Sequence, residues 1–310
     1  MYGITGGNFI DSIPSLYGDW GVDSEIGQLR AVLMRRGGKE IELDPDLDPV
    51  SVAMKSIWDP GKVRAQQDEL IQIYKDHGVA VHLIDEMDPE KPNAIYCRDL
   101  FFMTPQGAII ARPAAECRVG EEVYAMRALV KLGVPVIKTV NGEGIFDGAC
   151  GLWLDRETCL LGYGMRCNAS AVRQVKGELE NMGVKNVILV EIPRGMAHLD
   201  SFMSVVDYKT ALVLRMAAPN SVYTTLEERG FNIVDIPDLD EFRGFCQNSV
   251  AIRPGLIVMP TGCPKTVKAL ENAGVEVIQL DVSEIMKGNG AIHCMTAFLK
   301  RDPVPLYSGS

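Results

Sequence analysis

Apolar and polar positions along the chain fall into a recurring order: an amphipathic stretch, a glycine, then a short apolar run. The order appears at His77-Gly78-Val79-Ala80-Val81, Leu132-Gly133-Val134-Pro135-Val136 and Met182-Gly183-Val184-Lys185-Asn186-Val187. It returns at Arg229-Gly230-Phe231-Asn232-Ile233 and Ala273-Gly274-Val275-Glu276-Val277. Neighbouring glycines of this set stand 44 to 55 residues apart, which predicts five copies of one unit. A glycine just past a helix supplies a left-handed C-cap, and the Val-x-Val pattern opens a strand. Helices are therefore expected over 60–76, 121–132, 169–182, 221–229 and 264–273. Paired apolar runs follow each of these strands, as at 100–104 and 108–111 around Pro105-Gln106-Gly107, and read as hairpins. A first strand is expected within 26–34 and a closing strand over 292–299. Each unit is thus helix, strand, then hairpin. Hairpins interspersed with helices argue against a doubly wound parallel sheet and for a mixed α/β ring of five pseudo-symmetric units.

A closed ring has one axis, and residues at one phase of each unit meet there. Counted from each glycine, Asp99, Asp147, His198, Asp200, Asn248 and Cys294 all fall 14 to 21 residues on. Cys294 lies where the Gly288-Asn289-Gly290 loop runs into the closing strand, so its thiol can face an open site as a nucleophile. His198 and Asp200, two residues apart in an expected strand, share one face and suit a general acid/base beside an anionic group. Asp99 abuts an apolar strand, and Asp147 sits in the glycine-rich segment 142–148. Three carboxylates converging on a thiol repel one another unless a cation lies between them. A planar cation that accepts bidentate carboxylates is a guanidinium. Asn248 is given no catalytic part.

Composition narrows the class. The chain has 310 residues, 47% hydrophobic and 23% charged, with no linker-like break between the repeats. One catalytic domain over 25–310 is expected, preceded by a Gly/Ser-rich N-terminal extension, 1–24, laid over its surface. No apolar run approaches the roughly 18–20 residues of a membrane span, and no secretory signal opens the chain. Eight irregularly spaced cysteines read as reduced thiols of a cytoplasmic protein. The net charge of −10 argues against nucleic acid as a partner. No HExxH or paired CxxC supports a metal site, and Gly-x-Ser-x-Gly and the P-loop are absent. The Gly142-x-Gly144-x-x-x-Gly148 run precedes a strand, not the helix that a dinucleotide loop requires.

The same residues resemble the guanidino-group modifying superfamily, the penteins. It includes arginine deiminase, agmatine deiminase, dimethylarginine dimethylaminohydrolase and the amidinotransferases. The resemblance runs from Ser24-Glu25-Ile26-Gly27-Gln28-Leu29 to His293-Cys294-Met295-Thr296. It includes Asn93-x-x-x-x-Arg98-Asp99, Phe146-Asp147-Gly148-Ala149 and His198-x-Asp200 in the family's order. It implies the five-bladed α/β propeller called the pentein fold. It also implies a hydrolase acting on the guanidino group of arginine or a related compound, with no metal or organic cofactor.

By this resemblance Cys294 is the nucleophile and His198, oriented by Asp147, the general acid/base. Asp99 and Asp200 hold the guanidinium, with Asn93 nearby in the same motif. Arg118, and Arg166 with Asn168, are the candidates to bind an amino-acid carboxylate. Cys150 stands where a second acidic residue is usual, and Asn289 where bacterial arginine deiminases carry Arg. The alternative activity is amidino transfer to an amine acceptor, which Phe146-Asp147-Gly148-Ala149 favours. A non-catalytic binding protein on the same ring is disfavoured by the presence of both Cys294 and His198. The N-terminal extension is placed to cover the site or to join subunits of a homo-oligomer.

Overall fold

The computed structural model describes residues 7–307; the expectations drawn for 1–6 and 308–310 lie outside them. In chain order the strands are β1 (Leu29–Met34), β2 (Ala80–Leu83), β3 (Phe101–Thr104), β4 (Gly107–Ile110) and β5 (Val136–Thr139). There follow β6 (Gly151–Asp155), β7 (Thr158–Tyr163), β8 (Asn186–Glu191), β9 (Met203–Asp207) and β10 (Thr210–Val213). The last five are β11 (Asn232–Asp235), β12 (Val250–Arg253), β13 (Leu256–Pro260), β14 (Glu276–Leu280) and β15 (Ala297–Arg301). The helices are α1 (Phe9–Leu16), α2 (Pro60–Asp76), α3 (Glu121–Lys131), α4 (Ala169–Asn181), α5 (Asn220–Glu228), α6 (Leu239–Arg243), α7 (Pro264–Asn272) and α8 (Ile292–Met295).

Among the described residues these strands form five three-stranded sheets with one plan: β15-β1-β2, β3-β4-β5, β6-β7-β8, β9-β10-β11 and β12-β13-β14. The first two strands of each pair antiparallel, and the second pairs parallel with the third. This is a five-bladed α/β propeller. The blade is cut differently from the expected helix–strand–hairpin unit, however. Each hairpin pairs with the strand that follows the next helix, because two parallel neighbours need a helical crossover between them. β15 comes from the C-terminal end of the chain and pairs with β1 from its N-terminal part, so the two ends close the ring together.

Local chemistry explains the helices. Asp59 accepts the Lys62 N–H at the start of α2, and Pro60 occupies its first turn. The five repeat glycines all take positive φ, between 70° and 88°, where a side chain would be strained. Burial sorts the strands radially. Every residue of β3, β4 and β6 is buried, whereas β2, β5 and β11 hold no fully buried residue. The parallel third strands are thus the outer ones, and the hairpin strands form the core. Trp153 of β6 is fully buried, stacks on Phe102 at 5.5 Å, and donates its Nε1–H to the Met103 carbonyl at 2.9 Å. Burying one such side chain contributes about 1.5–3 kcal/mol.

Two local expectations change. The extension is not laid wholly over the surface: Val22 and Ser24 are buried, the Gly21 N–H donates to the Leu299 carbonyl, and the Val22 N–H donates to the Thr104 carbonyl. Apolar Val22 gains more from filling the gap between β15 and β3 than from facing water. The closing strand begins later than residue 292, because Ile292–Met295 form a single helical turn. No described helix is long and apolar enough to cross a membrane.

Candidate active site

The residues that share a phase all lie two to five positions before the first strand of a blade: Asp99 before β3, Asp147 before β6, His198 and Asp200 before β9, Asn248 before β12 and Cys294 before β15. The tight turns that carry them pack on one another around the ring. The turn at Cys97–Asp99 touches both α8 and the turn at Gly148–Cys150, which touches the turn at Leu199–Ser201. Together they form the floor of a cavity of about 620 Å³. Asn93, Asp99, Arg118, Arg166, His198, Asp200, Asn248 and Cys294 all line it, whereas Asp147 lies just beneath.

Cys294 is 9% exposed, so its sulfur is reachable from the cavity and little else. It sits on the turn of α8, not in the strand. The glycines before it allow this close packing, since a Cβ on Gly290 would lie 2.4 Å from Tyr96 Cε1. Asn248, which the sequence left without a part, organises the thiol. Its Nδ2 donates to Cys294 Sγ at 3.2 Å and to Asp200 Oδ2 at 3.2 Å. Its Oδ1 accepts the backbone N–H of His293 at 2.9 Å and of Cys294 at 3.3 Å. Burial, then the charges of Asp200 and Asp99, push the thiol well above its ordinary value. The free site therefore holds a protonated cysteine.

His198 and Asp200 do meet, but through a turn and not a strand. His198 stands at the head of the turn Leu199–Ser201, its backbone N–H donating to Ser201 Oγ at 3.1 Å. A tight turn brings i and i+2 together without the pleat. Its Nε2 lies 3.0 Å from Asp147 Oδ2, and its Nδ1 lies 3.6 Å from Asp99 Oδ1 and 3.9 Å from Asp200 Oδ1. Burial opposes a charge on the imidazole, but Asp99, Asp147 and Asp200 outweigh it and raise His198 above its ordinary value. Asp147 also accepts the Ala114 N–H at 3.1 Å and approaches Arg166 Nη1 at 3.4 Å.

The remaining candidates divide. Arg118 is buried, with Asp99 bound at its Nη1 and Glu121 at 2.8 Å from Nη2. Its Nη2 also donates to the Tyr96 and Asn93 carbonyls at 3.1 and 3.3 Å. Its guanidinium thus rests on Asp99 and is not turned to a carboxylate at the mouth. Asn93 and Asp99 each keep one buried oxygen, Asn93 Oδ1 and Asp99 Oδ1, with no hydrogen-bond partner among the described residues. Asn168 is not at the cavity. It caps α4, its Oδ1 accepting the Ala171 and Ile145 N–H groups and its Nδ2 donating to the Glu143 carbonyl at 2.7 Å. A helix start needs such an acceptor, and the cap uses both ends of the amide.

Behind Asp200 lies a chain of ion pairs that the sequence reading missed. His293 Nδ1 is 2.8 Å from Asp200 Oδ2 and its Nε2 is 3.3 Å from Glu25 Oε2, while Glu25 Oε1 binds Arg98 Nη2 at 3.0 Å. Burial opposes ionisation of both acids, yet Arg98 and His293 bring Glu25 down to about 2, and His293 lowers Asp200. The only sequence signal for these groups is adjacency, Arg98 beside Asp99 and His293 beside Cys294. Asp99, Asp147 and His198 also bring one donor atom each within 4.8 Å of one another, close enough to be considered as a metal-ligand set. Arg118 and Arg166 already engage its two carboxylates.

Residues 58–301 match the family model described as N,N dimethylarginine dimethylhydrolase, eukaryotic. The N(G),N(G)-dimethylarginine dimethylaminohydrolase of Pseudomonas aeruginosa is 24% identical over 238 residues, covering 77% of this chain and 89% of that protein. Among solved structures, an amidinotransferase from Microseira wollei superposes with a TM-score of 0.77 at 16% identity, over 93% of this chain and 99% of the other. The N-terminal domain of a cyanobacterial arginine dihydrolase gives a TM-score of 0.75 at 19% identity, over 89% and 99%. These structural likenesses are likenesses of fold.

Proposed function

This chain belongs to the N,N-dimethylarginine dimethylhydrolase family, and from that premise we propose that it is a cysteine-dependent hydrolase of a guanidino C–N bond, with the substrate cation held between Asp99 and Asp200. The observation that carries the reading is the pairing, in one cavity, of a nearly buried thiol at Cys294 with Asp99 Oδ1, a buried acceptor that takes no hydrogen bond among the described residues and faces His198 Nδ1 only at 3.6 Å. A guanidinium has donors only, and such an acceptor is what it can satisfy. Arg118 rests its own guanidinium on the other oxygen, Asp99 Oδ2, with Glu121 as its second carboxylate, which supports a seat of the right shape.

The chemistry follows from charge. The arriving cation offsets Asp99 and Asp200, the two charges that hold the thiol protonated, and Cys294 releases its proton to solvent. The thiolate attacks the central guanidinium carbon. His198, held as imidazolium by Asp147 and Asp99, donates its proton to the departing amine as the C–N bond breaks. A covalent thiouronium remains on Cys294. The now neutral His198 takes a proton from water, whose oxygen attacks the same carbon; the C–S bond then breaks with its electron pair returning to Cys294, the sulfur takes up the adduct's hydroxyl proton, and a ureido product leaves. Amidino transfer to an amine differs only in the second nucleophile, and Phe146-Asp147-Gly148-Ala149 keeps that reading in view.

One experiment decides. Release of amine or ammonia and a ureido product from a guanidino compound in buffer alone supports hydrolysis. Product formed only with an added amine supports transfer. Full turnover by Cys294→Ser would sink the mechanism in both forms.

A further inference from the structure

Both carboxylates of the proposed seat are backed by a buried cationic side chain. Asp99 gives its Oδ2 to Arg118, whose second carboxylate is Glu121 at 2.8 Å, and Asp99 Oδ1 stays open. Asp200 repeats the plan with different residues. Its Oδ2 takes His293 Nδ1 at 2.8 Å, Asn248 Nδ2 at 3.2 Å and Cys294 Sγ at 3.9 Å, while its Oδ1 faces His198 Nδ1 at 3.9 Å. His293 likewise has a second carboxylate, Glu25, whose Oε2 lies 3.3 Å from Nε2. Each arm thus runs carboxylate, cation, carboxylate, one built on a guanidinium and the other on an imidazole.

The imidazole arm carries a requirement that the guanidinium arm lacks. A neutral imidazole has one N–H and one lone pair, so between two carboxylates one of its nitrogens would set an acceptor against an acceptor. Only the imidazolium donates at both ends. The groups around His293 are Asp200 from the turn Leu199–Ser201, Glu25 from the segment before β1, Cys294 beside it on α8, and the edge of the Phe298 ring in β15 at 5.6 Å. Arg98 stands behind, bound to Glu25 at 3.0 Å. Burial opposes a charge on His293 and Arg98 adds to the opposition, but Asp200 and Glu25 outweigh both and raise it above its ordinary 6.5. The free space beside these groups is about 10 Å³, room for about one water, so solvent screens the pairs little.

Resting on the reading above, we propose that His293 is a positioning residue, held as imidazolium between Glu25 and Asp200, whose two hydrogen bonds fix Asp200 Oδ2 and so aim Oδ1 at the substrate guanidinium. Arg118 does the same for Asp99 with a charge that cannot titrate. The His293 arm can: on losing its proton the ring keeps one N–H, and either Asp200 or Glu25 is let go. Glu25 therefore governs substrate capture without lining the main cavity or touching the thiol.

The test follows alkylation of Cys294 by chloroacetamidine, whose amidinium needs the seat, and by neutral iodoacetamide, which does not, in the unmodified protein, His293→Asn and Glu25→Gln. His293→Asn keeps one donor near Asp200 and loses the charge. Its half-saturating chloroacetamidine concentration should rise roughly 10- to 100-fold, the value of one charge-assisted contact, with the maximal rate within about threefold. Iodoacetamide on its alkaline plateau should label Cys294 within about threefold of the unmodified rate, reporting a thiol still in place. Gln at position 25 can serve a neutral ring, so Glu25→Gln should show the same loss at about pH 8 and recover as the pH falls below the ordinary 6.5 and the ring takes up its proton. In the unmodified protein labelled with 15N-histidine, both ring nitrogens of His293 should carry protons at about pH 8, the signal being assigned by its absence from His293→Asn. A neutral His293 there, half-saturation unchanged in both variants, or a loss in Glu25→Gln that is the same at every pH overturns the role of His293 alone. No alkylation of Cys294 by chloroacetamidine in the unmodified protein overturns the catalytic reading and this proposal with it.

Discussion

Asn248 Nδ2 stands 3.2 Å from Cys294 Sγ, and Asn248 Oδ1 receives the backbone N–H of the same cysteine. One carboxamide therefore fixes both the side chain and the backbone of the proposed nucleophile. It is also the one group at the shared phase of the ring that does not ionise, placed where a further carboxylate would make the thiol still harder to ionise.

Replacing Asn248 by Ala removes a donor that stabilises the thiolate. A hydrogen bond to a charged group contributes about 1.5–3 kcal/mol, so kcat is expected to fall roughly 10- to 100-fold. Single-turnover kinetics should show the loss in thiouronium formation. Replacement by Asp should be worse, because it adds a negative charge at the sulfur; an unchanged rate in either variant would leave Asn248 as a packing residue.

The thiol itself should report the substrate's charge. Burial, Asp200 and Asp99 hold Cys294 well above its ordinary value near 9, so neutral iodoacetamide is expected to react only as the pH climbs past that value. Chloroacetamidine brings an amidinium between the same carboxylates and should alkylate Cys294 near neutral pH. Mass spectrometry of the labelled protein across pH measures both. Identical pH profiles for the two reagents would contradict the electrostatic account.

Asp147 raises His198 together with Asp99, so Asp147→Asn should lower the imidazole's pKa. The form needed to protonate the leaving amine is the imidazolium. The alkaline limb of the kcat profile should therefore move to lower pH, with an overall loss of about 10²- to 10⁴-fold. The stability effect has a definite sign. Because the folded value is raised, the imidazolium's contribution is fully present below the ordinary value of 6.5 and is lost as pH rises through the raised one. Asp147 is itself held below its ordinary 3.8, so denaturant midpoints for Asp147→Asn should fall most at mildly acid pH, between that value and 6.5.

Asn168 provides the contrasting case. As the cap of α4 its replacement by Ala should cost about 0.5–2 kcal/mol of stability. KM for a carboxylate-bearing guanidino compound should stay within about twofold, which steady-state kinetics and urea unfolding measure separately. A selective rise in KM at unchanged stability would return Asn168 to the binding site.

How much of this could be read from the chain follows from the range of the forces involved. Helix ends, left-handed glycines and strand alternation are set by neighbours within a few residues. The helix Pro60–Asp76 and all five repeat glycines accordingly stand where the periodicity places them. The repeat of those local signals was enough to define a ring and to say which residues would crowd its axis. Pairing across the ring was not contained in it. Which strand each hairpin joins depends on a crossover that only chain closure settles, and the helical turn at Cys294 arises from packing against the turn at Cys97–Asp99. Charge partners are the clearest instance. Arg118 sits 19 residues from Asp99, and His293 sits 93 from Asp200 and 268 from Glu25. Their contacts exist because burial excludes water and leaves these ions one another and nearby backbone carbonyls as partners, a condition that no stretch of sequence carries by itself.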